Sequence, residues 1–134
     1  MRTVSRSREI ELRANTGMFA EAPGWLRLDE ERLTMALEII KADLDGLGYY
    51  GASWCVQTQG GGYSRHLCFG CSVRESEVEQ VRAQVARIAS EAFSADGDCV
   101  DYPVGLFRVE YESEGAPVVV WQISGGTLRV ANSE

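Results

Sequence analysis

The chain has 134 residues, 45% of them hydrophobic and 25% charged, a composition typical of one soluble globular domain spanning residues 1–134. No apolar run approaches the roughly 18 residues that a membrane-spanning helix needs. The 20 acidic side chains outnumber the 13 basic ones, giving a net charge of −7. This balance disfavours nucleic-acid binding, because such binding draws most of its affinity from neutralised phosphates.

The N-terminal segment is more basic than the rest. Residues 1–13 hold four arginines and two glutamates, and we expect residues 1–7 to form a disordered basic arm. No apolar core of a secretory signal follows these arginines, so the sequence predicts a cytoplasmic protein with reduced cysteines. The rest of the chain is acidic. This charge favours binding to a basic partner, or it serves only to keep the protein soluble.

The first third of the chain predicts a strand, a loop and a helix. Apolar and charged residues alternate over 8–14, which predicts a strand. The stretch 15–25 contains glycine and proline and is typical of a loop. From Asp29 onward, apolar residues recur at three- and four-residue spacing, which predicts a helix capped by Asp29 and ended by Gly46 or Gly48.

A hairpin and a second helix come next. The strand-like runs 49–59 and 63–73 are separated by the glycines at 60–62. Ser76 and Glu79 have the spacing of a capping box, so we expect the second helix to begin there.

Further strands follow the second helix. The runs 105–111 and 117–123 predict another hairpin, and 127–131 predicts a last short strand. The apolar positions of the two longer runs share a face if a three-residue loop at 114–116, with Gly115 left-handed, joins them. Val118 and Val120 then point outward, an exposed apolar pair typical of a dimer or partner surface.

This succession predicts the fold class. Strand, helix, two strands, helix and strand form the βαββαβ order of a ferredoxin-like α+β fold, here with extra C-terminal strands. Both helices are expected on one face of an antiparallel sheet, which leaves the other face open. Met18, Phe19, Trp25 and Leu26 are expected to fold over the edge of the core. The fold class does not identify a function, because unrelated activities share it.

The cysteines raise the sharpest chemical question. The apolar alternation of the first hairpin allows two registers: a two-residue turn places Cys55 opposite His66, and a four-residue loop places Cys55 opposite Cys68. In both registers Cys55, His66 and Cys68 lie on the face away from the helices. Cys71, three residues after Cys68, points to the other face and is expected to be a small core residue.

Several interpretations of this group stay open. Small side chains are tolerated on a half-polar sheet face without any chemical role. A Cys55–Cys68 disulfide fits the second register, although reducing conditions oppose it. A thiol nucleophile with His66 as base needs an orienting group that the sequence does not reveal. Zinc needs four ligands from a chain with one histidine, which requires Cys71 or the distant Cys99. We therefore expect no cofactor, and a structural zinc module stays open as a third alternative.

Binding is therefore favoured over catalysis, since no phosphate loop and no nucleophile–base–orienter set is recognisable. The first hypothesis is a small acidic module that inhibits or neutralises a protein partner, in the manner of immunity or anti-defence inhibitors. Its expected contact surface is the exposed sheet face with the hairpin loop 60–65. The candidate binding residues are Tyr63, Arg65, His66, Cys55, Cys68, Glu110 and Glu112.

The alternative hypothesis belongs to another class. Two such sheets can pack face to face as a homodimer, an α+β barrel that encloses a pocket. Cys55, His66 and Cys68 then line the pocket, which binds or transforms a small molecule.

Overall fold

The computed structural model describes residues 18–43, 53–57, 65–70, 72–113 and 115–133. The elements in chain order are β1 (Phe19–Glu21), β2 (Gly24–Leu28), α1 (Glu30–Ala42), β3 (Trp54–Gln57), β4 (Arg65–Phe69), β5 (Ser72–Arg74), a 3₁₀ turn (Glu75–Glu77), α2 (Val78–Glu91), β6 (Ser94–Asp96), β7 (Cys99–Asp101), β8 (Val104–Tyr111), β9 (Val118–Ser124) and β10 (Thr127–Ser133). The fold is mixed α+β, as predicted, with two helices and a large antiparallel sheet curved as a half-barrel. This sheet is more extensive than the sequence predicts.

The middle of the sheet comes from a segment predicted to be a loop. The strand order is β10–β9–β8–β2–β4–β3, and β1 pairs with both β5 and β8. Only Ala22 and Pro23 separate β1 from β2. The two strands therefore form one interrupted strand, which lies between β4–β5 on one side and β8 on the other. The loop prediction for 15–25 is therefore wrong over the described residues. Pro23 lies where the strand breaks, a position that tolerates its missing N–H, and its carbonyl accepts a 3.0 Å hydrogen bond from the Arg108 amide.

The first helix begins as predicted. Asp29 is its N-cap, and the Asp29 Oδ1 accepts a 2.9 Å hydrogen bond from the Arg32 amide. Burial would raise the pKa of the Asp29 carboxyl, but the hydrogen bonds and the charge of Arg32 outweigh it and lower the pKa. The apolar stripe of α1 buries Leu33, Ala36 and Ile39 in the core.

The second helix starts differently from the prediction. A 3₁₀ turn over Glu75–Glu77 precedes it, and the N-cap is Glu77, which makes no side-chain capping hydrogen bond. The capping box of Ser76 and Glu79 is therefore wrong, because Ser76 lies inside the turn rather than at the cap. The apolar spacing itself is confirmed by the burial of Val78, Val81, Val85, Ile88 and Ala92.

The C-terminal strands have the predicted faces but a different loop. Phe107 lies opposite Trp121 and Val109 opposite Val119, whereas a three-residue loop at 114–116 would place Val109 opposite Trp121. The register between the two strands is therefore shifted by two residues from the predicted one, although Gly115 has the predicted positive φ of 81°. The last strand is also longer than predicted and follows a tight turn at Gly125–Gly126, where both glycines have positive φ.

The acidic stretch around Gly97 forms a separate small hairpin. β6 pairs with β7 across a turn in which Gly97 has a φ of 63°. The hairpin leaves Val100 exposed.

The core lies between the two helices and one face of the large sheet. Alternate residues of the strands are buried, including Leu26, Leu67, Phe69, Phe107 and Trp121. Burying each of these side chains contributes roughly 1.5–3 kcal/mol. Because only this set is buried, every second residue of each strand points to the opposite side. We call that side the outer face.

Several predictions lie outside the described residues. They concern the basic arm 1–7, the strand at 8–14, the glycines 60–62, Tyr63 and Cys71. The predicted end of the first helix at Gly46 or Gly48 is wrong, since α1 ends at Ala42 and its C-cap is Asp43.

Candidate functional site

One row of residues crosses the whole outer face. Strand pairing places side chains of six neighbouring strands side by side in the same register. From the β3 edge to the β10 edge, this central row consists of Cys55, Cys68, Trp25, Leu106, Gln122 and Arg129. The next row towards the start of β8 consists of Gln57, His66, Arg27 and Val104.

The two cysteines take the second of the two predicted registers. Cys55 lies directly opposite Cys68, and His66 lies opposite Gln57. Cys55 is exposed and Cys68 is half-buried, and both are free thiols. Burial raises the pKa of the Cys68 thiol, and the neighbouring Cys55 raises it further. The outer face thus carries an adjacent pair of thiols.

His66 belongs to the neighbouring row, and its environment is aromatic and cationic. It is exposed, its ring centroid lies 6.0 Å from that of Trp25, and it pairs in register with Arg27. Within the described ranges, no three histidine, cysteine, aspartate or glutamate side chains come together in a way that suits a metal ion.

The carboxylates Glu110 and Glu112 lie at one end of the outer face. Glu110 forms a 3.0 Å ion pair with Arg108, and the Glu112 Oε2 accepts a 2.8 Å hydrogen bond from the Phe19 amide. Glu21 lies directly opposite Glu110 on the adjacent strand. A groove of about 530 Å³ runs here, lined by Phe19, Glu21, Ser72, Glu110, Tyr111 and Glu112. Its three carboxylates make this end acidic.

Arg65 does not share the outer face with the other candidates. It begins β4 opposite Leu28, and the alternation along β4 places it on the same side as the buried Leu67 and Phe69. Arg65 has an interaction of its own within the protein.

Sequence reasoning missed the apolar centre of the outer face. Trp25, Val104 and Leu106 are 37%, 39% and 40% exposed, and they occupy adjacent positions on β2 and β8. Trp25 was expected to cover the core edge, but only Leu26 of that pair is buried. The signal was the alternation of Trp25, Leu26, Arg27 and Leu28, which has the period of a half-buried strand. Val118 and Val120, predicted to point outward, are half-buried.

Charges on the outer face and its rim are nearly balanced. The described exposed residues there include four arginines, at positions 27, 74, 108 and 129, and three glutamates, at positions 21, 110 and 112. The excess of acidic residues therefore lies elsewhere in the chain. The outer face itself combines an apolar centre with the acidic groove at one end, and with Arg27 and His66 at the other.

The chain matches no protein-family model, no curated protein and no solved structure. Neither helix in the described part of the chain is long and apolar enough to cross a membrane.

Proposed function

We propose that this protein is a binding module that docks a protein partner on its outer face. The observation that carries the proposal is the cluster of Trp25, Val104 and Leu106, three large apolar side chains that share one exposed patch. Contiguous apolar patches on a protein surface are typical of interaction sites.

The composition of the patch supports a protein partner. Tryptophan and arginine dominate the binding energy of protein interfaces, and Trp25 has Arg27 two residues along the same strand. Truncating a residue of this kind costs 2 kcal/mol or more when it is central, which is roughly a 30-fold loss of affinity.

The acidic groove indicates that the partner carries a positive charge. Glu21, Glu110 and Glu112 line one end of the outer face, so a partner with a lysine or arginine beside an apolar contact is complementary to it. Complementary charges raise specificity and the association rate. Inhibition or neutralisation of such a partner, in the cytoplasm, is the role we propose.

A ferredoxin-like core underlies this surface in our proposal. With β1–β2 and β4–β5 each counted as one strand, and with the separate β6–β7 hairpin left aside, the first four strands of the large sheet in chain order are β1–β2, β3, β4–β5 and β8. They lie side by side in the order second, third, first and fourth. That order, with a helix after the first strand and another after the third, supports the ferredoxin-like assignment, and β9 and β10 extend it.

Site-specific photocrosslinking tests the proposed function. A photoreactive amino acid replaces Leu106 on the outer face, and the matched control carries it at Glu38, an exposed position on α1. We expect a crosslink to one other protein from position 106 only. The purified protein thus identified should form a complex that Trp25→Ala weakens at least 30-fold. Equal crosslinking from both positions, or a complex indifferent to Trp25→Ala, would rule the proposal out.

A second candidate rests on the charges at the two ends of the outer face. Arg27 and His66 lie towards one end, and Glu21 and Glu110 towards the other. A second copy turned end for end would bring Arg27 of each copy towards Glu21 and Glu110 of the other, and would enclose a pocket lined by Cys55, His66 and Cys68. Crosslinks from position 106 to another copy of the chain would favour this homodimer, with bound small molecule, over the partner complex.

A further inference from the structure

We propose that Cys55 and Cys68 form a reversible thiol–disulfide pair whose oxidation by a low-molecular-weight disulfide fastens the edge strand β3 to β4. The proposal does not depend on the binding function above, and its experiment needs no partner.

The register places the two residues at the separation a disulfide requires. Cys55 and Cys68 are direct cross-strand partners, and the Cα atoms of such partners are about 4.5–5.5 Å apart in antiparallel sheets. Disulfides span about 4.4–6.8 Å between Cα atoms. Both side chains point to the outer face, so the bond can form without turning either strand.

Both thiols are accessible, and Cys55 lies close enough to Cys68 to affect its pKa. Cys55 is exposed and Cys68 half-buried. The pKa of Cys68 is raised first by burial and then by the charge of Cys55, which indicates that the two sulfur groups are close neighbours. The third described cysteine, Cys99, lies on the separate β6–β7 hairpin.

The difference between the two thiols sets the order of reaction. Cys55 is exposed whereas Cys68 is half-buried, so Cys55 is the sulfur that attacks, and burial also raises the pKa of Cys68. Its thiolate displaces one glutathione thiolate from glutathione disulfide and forms a mixed disulfide. Cys68 then loses its proton and attacks the Cys55 sulfur, which releases the second glutathione. Two protein thiols are oxidised to one disulfide, and glutathione disulfide is reduced to two thiols.

The disulfide would join the edge strand of the sheet to its neighbour. Among the described residues, β3 pairs only with β4, so an S–S bond between these two strands restrains the edge of the sheet. Under reducing conditions the bond opens again, as is usual for intracellular disulfides with regulatory roles.

The test uses the full chain with Cys71→Ser and Cys99→Ser, which keeps only the two cysteines of interest. The protein is incubated with glutathione disulfide and then analysed by intact mass and by peptide mapping. We expect a loss of about 2 Da, from the two hydrogens removed as the bond forms, and a Cys55–Cys68 peptide. Glutathione in excess should restore the original mass.

Two single variants in the same background serve as matched controls. Cys68→Ser should hold glutathione on Cys55 as a lasting mixed disulfide, because the resolving thiol is gone. Cys55→Ser should acquire glutathione at least tenfold more slowly. Separate glutathione adducts on both cysteines of the parent, or disulfide-linked dimers in place of the internal bond, would overturn the proposal.

Hydrogen exchange measures the effect on the edge strand. Amides of β3 should exchange at least tenfold more slowly in the oxidised protein than in the reduced one, whereas β9 amides serve as an internal reference. Equal exchange of β3 in both states would show that the bond does not restrain the edge, and would overturn that part of the proposal.

Discussion

The indole Nε1 of Trp54 donates a 2.8 Å hydrogen bond to the Oε1 of Gln84. This bond joins the edge strand β3 to helix α2, and both side chains are buried, at 9% and 3% exposure. Gln84 Nε2 in turn contacts Asp43 Oδ2 at 3.4 Å, and the other oxygen of Asp43 pairs with Arg87. A polar chain therefore connects β3, α2 and the end of α1.

Replacing Gln84 should reveal how much this bond stabilises the fold. Gln84→Leu leaves the buried indole N–H without its acceptor, so we expect the free energy of unfolding to fall by about 1–3 kcal/mol. The measurement is urea unfolding at equilibrium. The double variant Trp54→Phe, Gln84→Leu should lose less unfolding free energy than the two single variants lose together. The difference should be about 0.5–3 kcal/mol. Strict additivity would contradict a direct interaction.

The N-cap of α1 should make stability depend on pH. At neutral pH, Asp29→Ala should cost about 1 kcal/mol, since the Arg32 amide loses its acceptor, whereas Asp29→Asn keeps an acceptor and should cost less. Because folding lowers the pKa of Asp29, the charge contributes stability above the unfolded pKa near 3.8 and loses it as the pH falls through the folded value.

The wild-type protein and the Asp29→Asn variant should therefore converge in stability as the pH falls below the lowered pKa of Asp29. Thermal unfolding at several pH values checks this. If the difference in unfolding temperature between the two proteins stays constant from neutral to acidic pH, the charge of Asp29 does not contribute to stability.

The central strands approach too closely at Gly105 for a larger residue. A Cβ at Gly105 would lie 2.1 Å from the Trp25 carbonyl oxygen and 2.7 Å from Leu26 Cδ2. Gly105→Ala should therefore force β2 and β8 apart and cost about 1–3 kcal/mol. Gly70→Ala is the matched control, because a Cβ there meets no atom within 4 Å. Similar thermal unfolding midpoints for the two variants would contradict the close approach.

Charge reversal distinguishes the structural roles of Glu110 and Glu112, two of the three carboxylates at the acidic end. Glu112→Lys removes the acceptor of the Phe19 amide and should lower stability by about 1–2 kcal/mol. Glu110→Lys breaks an exposed ion pair with Arg108 and should cost no more than about 1 kcal/mol. Both variants should weaken the complex found by crosslinking. Unchanged affinity would move the interface away from the groove.

Local patterns predicted those parts of the fold that local interactions determine. The helices follow from apolar residues at three- and four-residue spacing, and the Asp29 cap follows from a side chain that acts within its own turn. The faces of the hairpins follow from strict alternation, and this also placed Cys55, His66 and Cys68 on the outer face. The sequence left two possible registers for this hairpin, because alternation alone does not determine how long the connection between the two strands is.

The central strand was missed for a physical reason. β1 has only three residues and is separated from β2 by Ala22 and Pro23, so the short alternation over 25–28 did not outweigh the glycine and proline that favour a loop. Its pairing partners lie far along the chain, in β4, β5 and β8. Trp25 was misplaced for a related reason, since tryptophan is commonly buried, and only its position in the sheet exposes it.

The position of β1–β2 has a consequence for the order of folding. Gly24 pairs with Phe107. During synthesis, β1–β2 is the first described segment to emerge, and more than half of the chain must follow before β8 can pair with one of its two sides. Loop closure over such distances is slow, and folds rich in such pairings fold slowly. During translation, the hairpin of β3 and β4 and helix α2 are complete before β8 leaves the ribosome. A chain that stops before Val104 lacks the strand that closes the middle of the sheet, and should therefore be degraded rather than accumulate as a stable fragment.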